Sequence, residues 1–128
     1  MCRDAYMTGM ANHTILLVED DGPVRDLFIR ALRGAGYRVI EARNGKEALD
    51  ILREHGAAID LLVTDMRMPH VDGAELVAEV RRQRNTVKVL CVSAFPVLEE
   101  PQCDKFLSKP FSNAAFLAAV RELLFSSE

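Results

Sequence analysis

A chain of 128 residues, 49% hydrophobic and 27% charged, suits a single globular domain with a buried core. A net charge of −3 and a pI near 5.6 leave no basic footprint for nucleic acid. No apolar run nears the roughly 18 residues that a membrane span requires, and the odd set Cys2, Cys91 and Cys103 has neither C-x-x-C spacing nor a paired histidine. That set indicates neither a disulfide framework nor a zinc site, and fits a reducing, cytoplasmic setting.

The opening MCRDAYMTGMANH has no apolar h-region and no basic lead, so residues 1–13 are expected to form a flexible tail rather than a secretory signal. Residues 14–19 then read as a first strand. Its ILLV is continuously apolar, the mark of a strand covered on both faces. Pro23 at a first helical position opens a helix with Val24, Leu27, Phe28, Ala31 and Leu32 on one side, capped by Asp21 and ended by Gly34 and Gly36. Residues 38–42 form a second strand, and residues 44–54 a helix carrying Ala48, Leu49 and Leu52.

Residues 59–64 are a third strand, again apolar throughout, followed by a helix that Asp72 can cap and that buries Leu76, Val77 and Val80. A fourth strand spans 87–92, where Cys91 reads as a small core residue. Between residues 95 and 104, Pro96 and Pro101 leave no room for a full helix, so a loop or a single turn is expected. The fifth strand is 105–108. The last helix is capped by Ser112 and striped with Phe116, Leu117, Val120, Leu123 and Leu124. Strands alternating with helices predict parallel pairing and right-handed crossovers, hence a three-layer α/β sandwich.

Chemistry in such a sheet collects at the carboxyl ends of the strands, near the point where strand order reverses. Here those ends carry Glu19-Asp20-Asp21, then Asp65, then Ser93-Ala94, then Lys109-Pro110. If the order is 2-1-3-4-5, strands one and three are neighbours about 4.8 Å apart. Glu19 or Asp20 then approaches Asp65. Two carboxylates about 5 Å apart repel by roughly 3 kcal/mol at an effective dielectric near 20. Lys109 offers one compensating charge, and a hard divalent cation such as Mg²⁺ would supply the rest. That set is equipped for phosphoryl transfer, with Asp65 as nucleophile and with Lys109 and Ser93 contacting the equatorial oxygens. The backbone carbonyl of Arg67 is a third candidate metal ligand.

Other features read as structural. His13, His55 and His70 are scattered surface residues, and Arg81, Arg82 and Arg84 a solvated helix end. Gly34-x-Gly36 closes a helix instead of opening one, and no G-x-x-x-x-G-K-[ST] loop is present.

In their order and spacing, ILLVEDD, LLVTDMRMPHVDG, VSA and LSKPF resemble the receiver domain of two-component response regulators. The likeness covers residues 14–125, leaving 126–128 as a C-terminal tail. It implies a flavodoxin-like, doubly wound, five-stranded parallel sheet of order 2-1-3-4-5, here with the helix between strands four and five shortened or absent. Position by position, it implies that Asp65 accepts a phosphoryl group from a histidine of a sensor kinase or phosphotransfer protein. Glu19 and Asp20 become the acidic pair, with Asp20, Asp65 and the Arg67 carbonyl on Mg²⁺. Ser93 becomes the hydroxyl that moves toward the phosphate, Phe106 the aromatic that rotates with it, and Lys109-Pro110 a cis bond. Such a module speeds its own phosphorylation and dephosphorylation without turning over a separate substrate. It switches contacts with a downstream protein, as a monomer or a phosphorylation-dependent dimer, and does not itself touch nucleic acid or membrane. The alternative is a receiver-like adaptor that works constitutively. A phosphatase with an aspartyl-phosphate intermediate would want an acid at position 67, where Arg67 stands.

Arg67 and Phe95 flank the path of the water that would hydrolyse an acyl phosphate on Asp65, and their bulk is expected to shield it. Arg67→Asn combined with Phe95→Glu should shorten the phosphate lifetime, followed by loss of phosphorylated mass with time. An unchanged lifetime removes the shielding role.

Overall fold

The computed structural model describes residues 13–66, 73–83, 87–94 and 103–125. In chain order these are β1 (Thr14–Val18), α1 (Gly22–Gly34), β2 (Arg38–Ala42), α2 (Gly45–His55), a 3₁₀ turn (Gly56–Ala58), β3 (Leu61–Asp65), α3 (Gly73–Gln83), β4 (Lys88–Ser93), β5 (Lys105–Ser108) and α4 (Asn113–Phe125). The five strands pair in parallel in the order β2-β1-β3-β4-β5. The expected doubly wound sheet is therefore present. The order reverses between β1 and β3, where Val18 stands opposite Thr64.

Period-two alternation along the apolar strands divides the core between two faces. Ile15, Leu17, Leu61, Val63, Leu90 and Val92 face α1 and α4, meeting Phe28, Leu32, Phe116 and Val120. Leu16, Val18, Leu62, Val89 and Cys91 face α2 and α3, meeting Ala48, Leu52, Leu76 and Val80. On the first face Phe28 and Phe116 stack with ring centroids 4.8 Å apart, and Phe111 closes a trio at 5.8 Å from each. Aromatic pairs at such distances add about 0.5–1.5 kcal/mol to their burial.

Caps set the helix starts. Asp21 Oδ1 accepts from the Val24 amide at 3.1 Å, which confirms it as a cap. Asn44 Oδ1 accepts from Glu47 N at 2.8 Å while Glu47 Oε1 accepts from Arg43 N at 2.6 Å, a reciprocal box one residue out of the usual register. Those amide and guanidinium contacts from Arg43 hold the Glu47 carboxyl below its ordinary pKa. Ser112 Oγ accepts from Ala115 N at 3.0 Å. Gly36 adopts φ 99°, a left-handed conformation suited to glycine, and turns the chain from α1 into β2.

Three expectations need adjustment. Asp65 and Ser93 are the last paired residues of their strands instead of the first residues after them, so both are fixed by the ladder. His13 is not a plain surface residue, since its ring meets Phe125 edge-on at 4.9 Å. Cys91 is a core residue at 0% exposure, yet it is disulfide-bonded to Cys103 across a Cα–Cα distance of 6.1 Å. No C-x-x-C spacing announces this pair: Cys103 lies just before β5 and meets Cys91 of the neighbouring strand β4, 12 residues away in sequence. The proposed cap Asp72, His70, Arg67 and Phe95 lie outside the described residues, as does most of the β4–β5 connection. Among the described residues no helix lies between β4 and β5.

Candidate phosphoacceptor site

Four strand ends build the site. Glu19 follows β1 directly, and its amide bonds to the Ala42 carbonyl at the end of β2 (3.1 Å). Asp65 closes β3, held by the Asp65–Val92 register, and the next amide, Met66 N, donates to Val92 O at 3.1 Å. Lys109 follows β5, its amide donating to Ser93 O at 2.8 Å, and its bond to Pro110 is cis as expected. Lys109 Nζ then lies 3.0 Å from Asp65 Oδ2 and 3.4 Å from Glu19 Oε1. Carboxylate oxygens of Glu19, Asp20 and Asp65 lie within 4.8 Å of one another.

Burial differs sharply within this set. Glu19 is 1% exposed and Asp65 8%, whereas Asp20 is open to solvent. Burial is the main force on Glu19, and with the neighbouring Asp65 charge it raises the carboxyl from 4.5 to about 7. The Asp21 amide, donating to Glu19 Oε2 at 3.2 Å, and Lys109 pull the other way without prevailing. For Lys109 burial is again the largest single influence and depresses the ammonium. The hydrogen bond and charge of Asp65, together with Glu19, outweigh it and leave the pKa raised. Lys109 is therefore a cation at every physiological pH.

The oxygens suit a small hard cation: two buried carboxylates, an exposed third and a convergence within one ion's reach. Among the described residues this is the one grouping of acids, histidines or cysteines with that spacing. Ser93, 2% exposed at the end of β4, is held on the same rim, and Phe106 on β5 packs against the α2–α3 face opposite Cys91. The structure thus brings Glu19, Asp20, Asp65 and Lys109 together. Arg67 lies outside the described residues.

Two further residues support the site and were not singled out from sequence. Arg25 of α1 sends Nη1 to the Glu19 carbonyl at 2.9 Å and Nε to Glu41 Oε1 at 3.3 Å, tying the β1–α1 turn to β2. Gly73 begins α3 hard against the end of β3. A Cβ there would stand 2.7 Å from Asp65 O, Met66 Cα and Met66 Sδ. The Gly73 amide also donates to Met66 O at 3.3 Å. Thr64 Oγ1 donates to Asp65 O at 2.8 Å, so the Asp65 carbonyl is approached from two sides. A glycine after an aspartate looks like an ordinary helix start in sequence; only the fold reveals the close approach.

A parallel sheet of order 2-1-3-4-5 with acids on two inner strand ends and a lysine on the edge strand defines a receiver-type signalling domain. Comparison with known proteins agrees: residues 15–121 match the response regulator receiver domain, and the chain belongs to that family. It is 40% identical over 117 residues to the sensor kinase CckA of Brucella abortus, covering 87% of this chain and 12% of that protein. The solved receiver domain of the hybrid histidine kinase CckA aligns with a TM-score of 0.78 at 38% identity, over 87% of this chain and 98% of that one. The response regulator TrrA of Thermotoga maritima, solved in complex with Mg²⁺-BeF, aligns with a TM-score of 0.80 at 28% identity, over 88% and 99%. Among the described residues no helix is long and apolar enough to cross a membrane.

Gly73→Ala should destabilise the fold by about 1–3 kcal/mol through overpacking against the β3 backbone, read from the urea midpoint. A neutral result would mean that α3 can retreat without cost. The raised Glu19 carboxyl sets a pH dependence in chelating buffer. The folded chain keeps a proton that the unfolded chain releases, so this stability is full below about 4.5 and is lost as pH rises through about 7. Urea midpoints should therefore fall over that window, and Glu19→Gln should flatten the fall.

Proposed function

We propose that this receiver domain takes a phosphoryl group from the phosphohistidine of a sensor kinase or phosphotransfer protein onto Asp65, in a Mg²⁺-dependent reaction in the cytoplasm. The new state then switches contacts with a downstream protein. The observation that carries this reading is the Lys109 ammonium 3.0 Å from Asp65 and 3.4 Å from Glu19 at the rim of the sheet. The Mg²⁺-BeF complex of TrrA supports it by analogy.

An Asp65 carboxylate oxygen attacks phosphorus along the line of the phosphorus–nitrogen bond. That bond breaks with its electron pair leaving on the donor imidazole. Lys109 stays paired to the carboxylate as charge moves onto the phosphoryl oxygens, and Ser93 stands on the same rim to donate a hydrogen bond to one of them. Glu19 and Asp20, with Asp65 and the Arg67 carbonyl, are the groups that would hold Mg²⁺. When bound, the ion would neutralise phosphoryl charge as a Lewis acid. Glu19 must shed its proton to join such a set, which the proximity of a divalent charge favours. The constitutive adaptor reading gains nothing from the site, because every charged residue that it could dispense with is present and brought together.

Incubation with acetyl phosphate and Mg²⁺ should add about 80 Da to the wild type, the mass of one phosphoryl group, and nothing to Asp65→Asn. Lys109→Ala should slow the gain by about 10²-fold, the usual cost of losing one charge-stabilising donor. Equal labelling of wild type and Asp65→Asn would overturn the assignment.

A further inference from the structure

We propose that Cys91 and Cys103 are a reversible dithiol–disulfide site, oxidised by low-molecular-weight disulfides, that ties β4 to the entrance of β5 and stiffens the edge of the sheet beside the phosphoacceptor. The consequence for phosphorylation rests on the function proposed above; the thiol chemistry does not.

Three observations carry it. First, the pair is bonded across a Cα–Cα distance of 6.1 Å, inside the range that disulfides span. Second, the partners are unequal: Cys91 is 0% exposed within the α2–α3 face, whereas Cys103 is half-buried at the mouth of β5. Third, residue 103 is positioned by bonds that do not involve sulfur. Its neighbour Asp104 donates its amide to Val89 O at 2.9 Å and accepts the Val89 amide at 2.7 Å. Arg81 of α3 bonds both Asp104 Oδ2 and Val87 O, each at 2.7 Å. Reduction therefore leaves the two thiols facing each other, ready to close again.

The inequality orders the chemistry. The Cys103 thiolate attacks one sulfur of the small disulfide, forming a mixed disulfide and expelling one small thiol. Cys91 then gives up its proton and attacks the Cys103 sulfur, expelling the second small thiol. In sum, two protein thiols become one protein disulfide, and one small disulfide becomes two small thiols. The cross-link sits on the face that Cys91 shares with Ser93 two residues on, opposite Phe106 in the β4–β5 register. A bond at that point restrains the entrance of β5 relative to β4, beside Phe106.

The test uses the full chain with Cys2→Ser to remove the third thiol. After oxidised glutathione, intact mass should be about 2 Da below the reduced form, with no glutathione adduct and no thiol alkylated by N-ethylmaleimide after unfolding. Dithiothreitol should restore two alkylatable thiols. Cys91→Ala should instead retain a glutathione on Cys103, while Cys103→Ala should react at least about tenfold more slowly. Because Cys103 is half-buried, Cys103→Ala keeps the test open should Cys91→Ala not fold. Amide hydrogen exchange across Lys105–Ser108 should slow about fivefold or more on oxidation, and acetyl phosphate uptake at Asp65 should slow about threefold or more. Two free thiols or a lasting adduct after oxidation would overturn the site. Unchanged β5 exchange with the cross-link formed would overturn its mechanical role. No phosphoryl uptake in either redox state would instead sink the phosphoacceptor reading, with mass and exchange still deciding the dithiol.

Discussion

One ammonium group holds the carboxyl rim of this sheet together. Glu19 and Asp65 come from neighbouring strands and are both buried, an arrangement that repels by a few kcal/mol unless a cation intervenes. Lys109 intervenes from the far edge strand, and its backbone amide is itself tied to Ser93 on β4. The edge strand β5 therefore matters beyond its four residues. It delivers the charge that makes the pairing of β1 and β3 tolerable at their ends.

The acids are not equivalent, and that asymmetry suits the proposed chemistry. Glu19 is enclosed and its carboxyl is pushed up to about 7 by burial, Asp65 is buried but bonded to the lysine, and Asp20 reaches water. Of the three carboxylates that would hold a cation, Asp20 is the one open to solvent and Glu19 the most enclosed. Asp65 completes the set, its peptide braced by Thr64 on one side and by the close approach of Gly73 on the other.

Much of this was legible beforehand, for identifiable reasons. Continuous apolar runs such as ILLV mark strands buried on both faces, Pro23 marks a helix start through its fixed φ, and Ser112 marks another through a local bond that needs no tertiary context. Asp65, Asp20, Glu19 and Lys109 were readable because all follow or end strands, where topology alone dictates convergence. What escaped was contact that depends on three-dimensional approach. Arg25 looks like any surface arginine on an amphipathic helix until its guanidinium reaches the Glu19 carbonyl. Gly73 is a helix-start glycine until α3 closes on Met66. Cys91 and Cys103 carry no spacing signal, since their meeting depends on β5 lying beside β4 and on the path of the chain just before β5.

The opposite end of the sheet is fastened differently. Asp60 receives the Thr14 amide at 2.9 Å and returns its own to Thr14 O at 2.8 Å, clasping β1 to the approach of β3. Asp104 clasps β4 to β5 in the same manner, with Arg81 locking α3 into the joint. Carboxylates thus clasp the β1–β3 and β4–β5 pairs at their amino ends, whereas at the carboxyl ends backbone bonds are joined by the Lys109 ion pairs. A change of charge at Asp65 therefore acts at the end of the sheet opposite those clasps, on the lysine that β5 contributes.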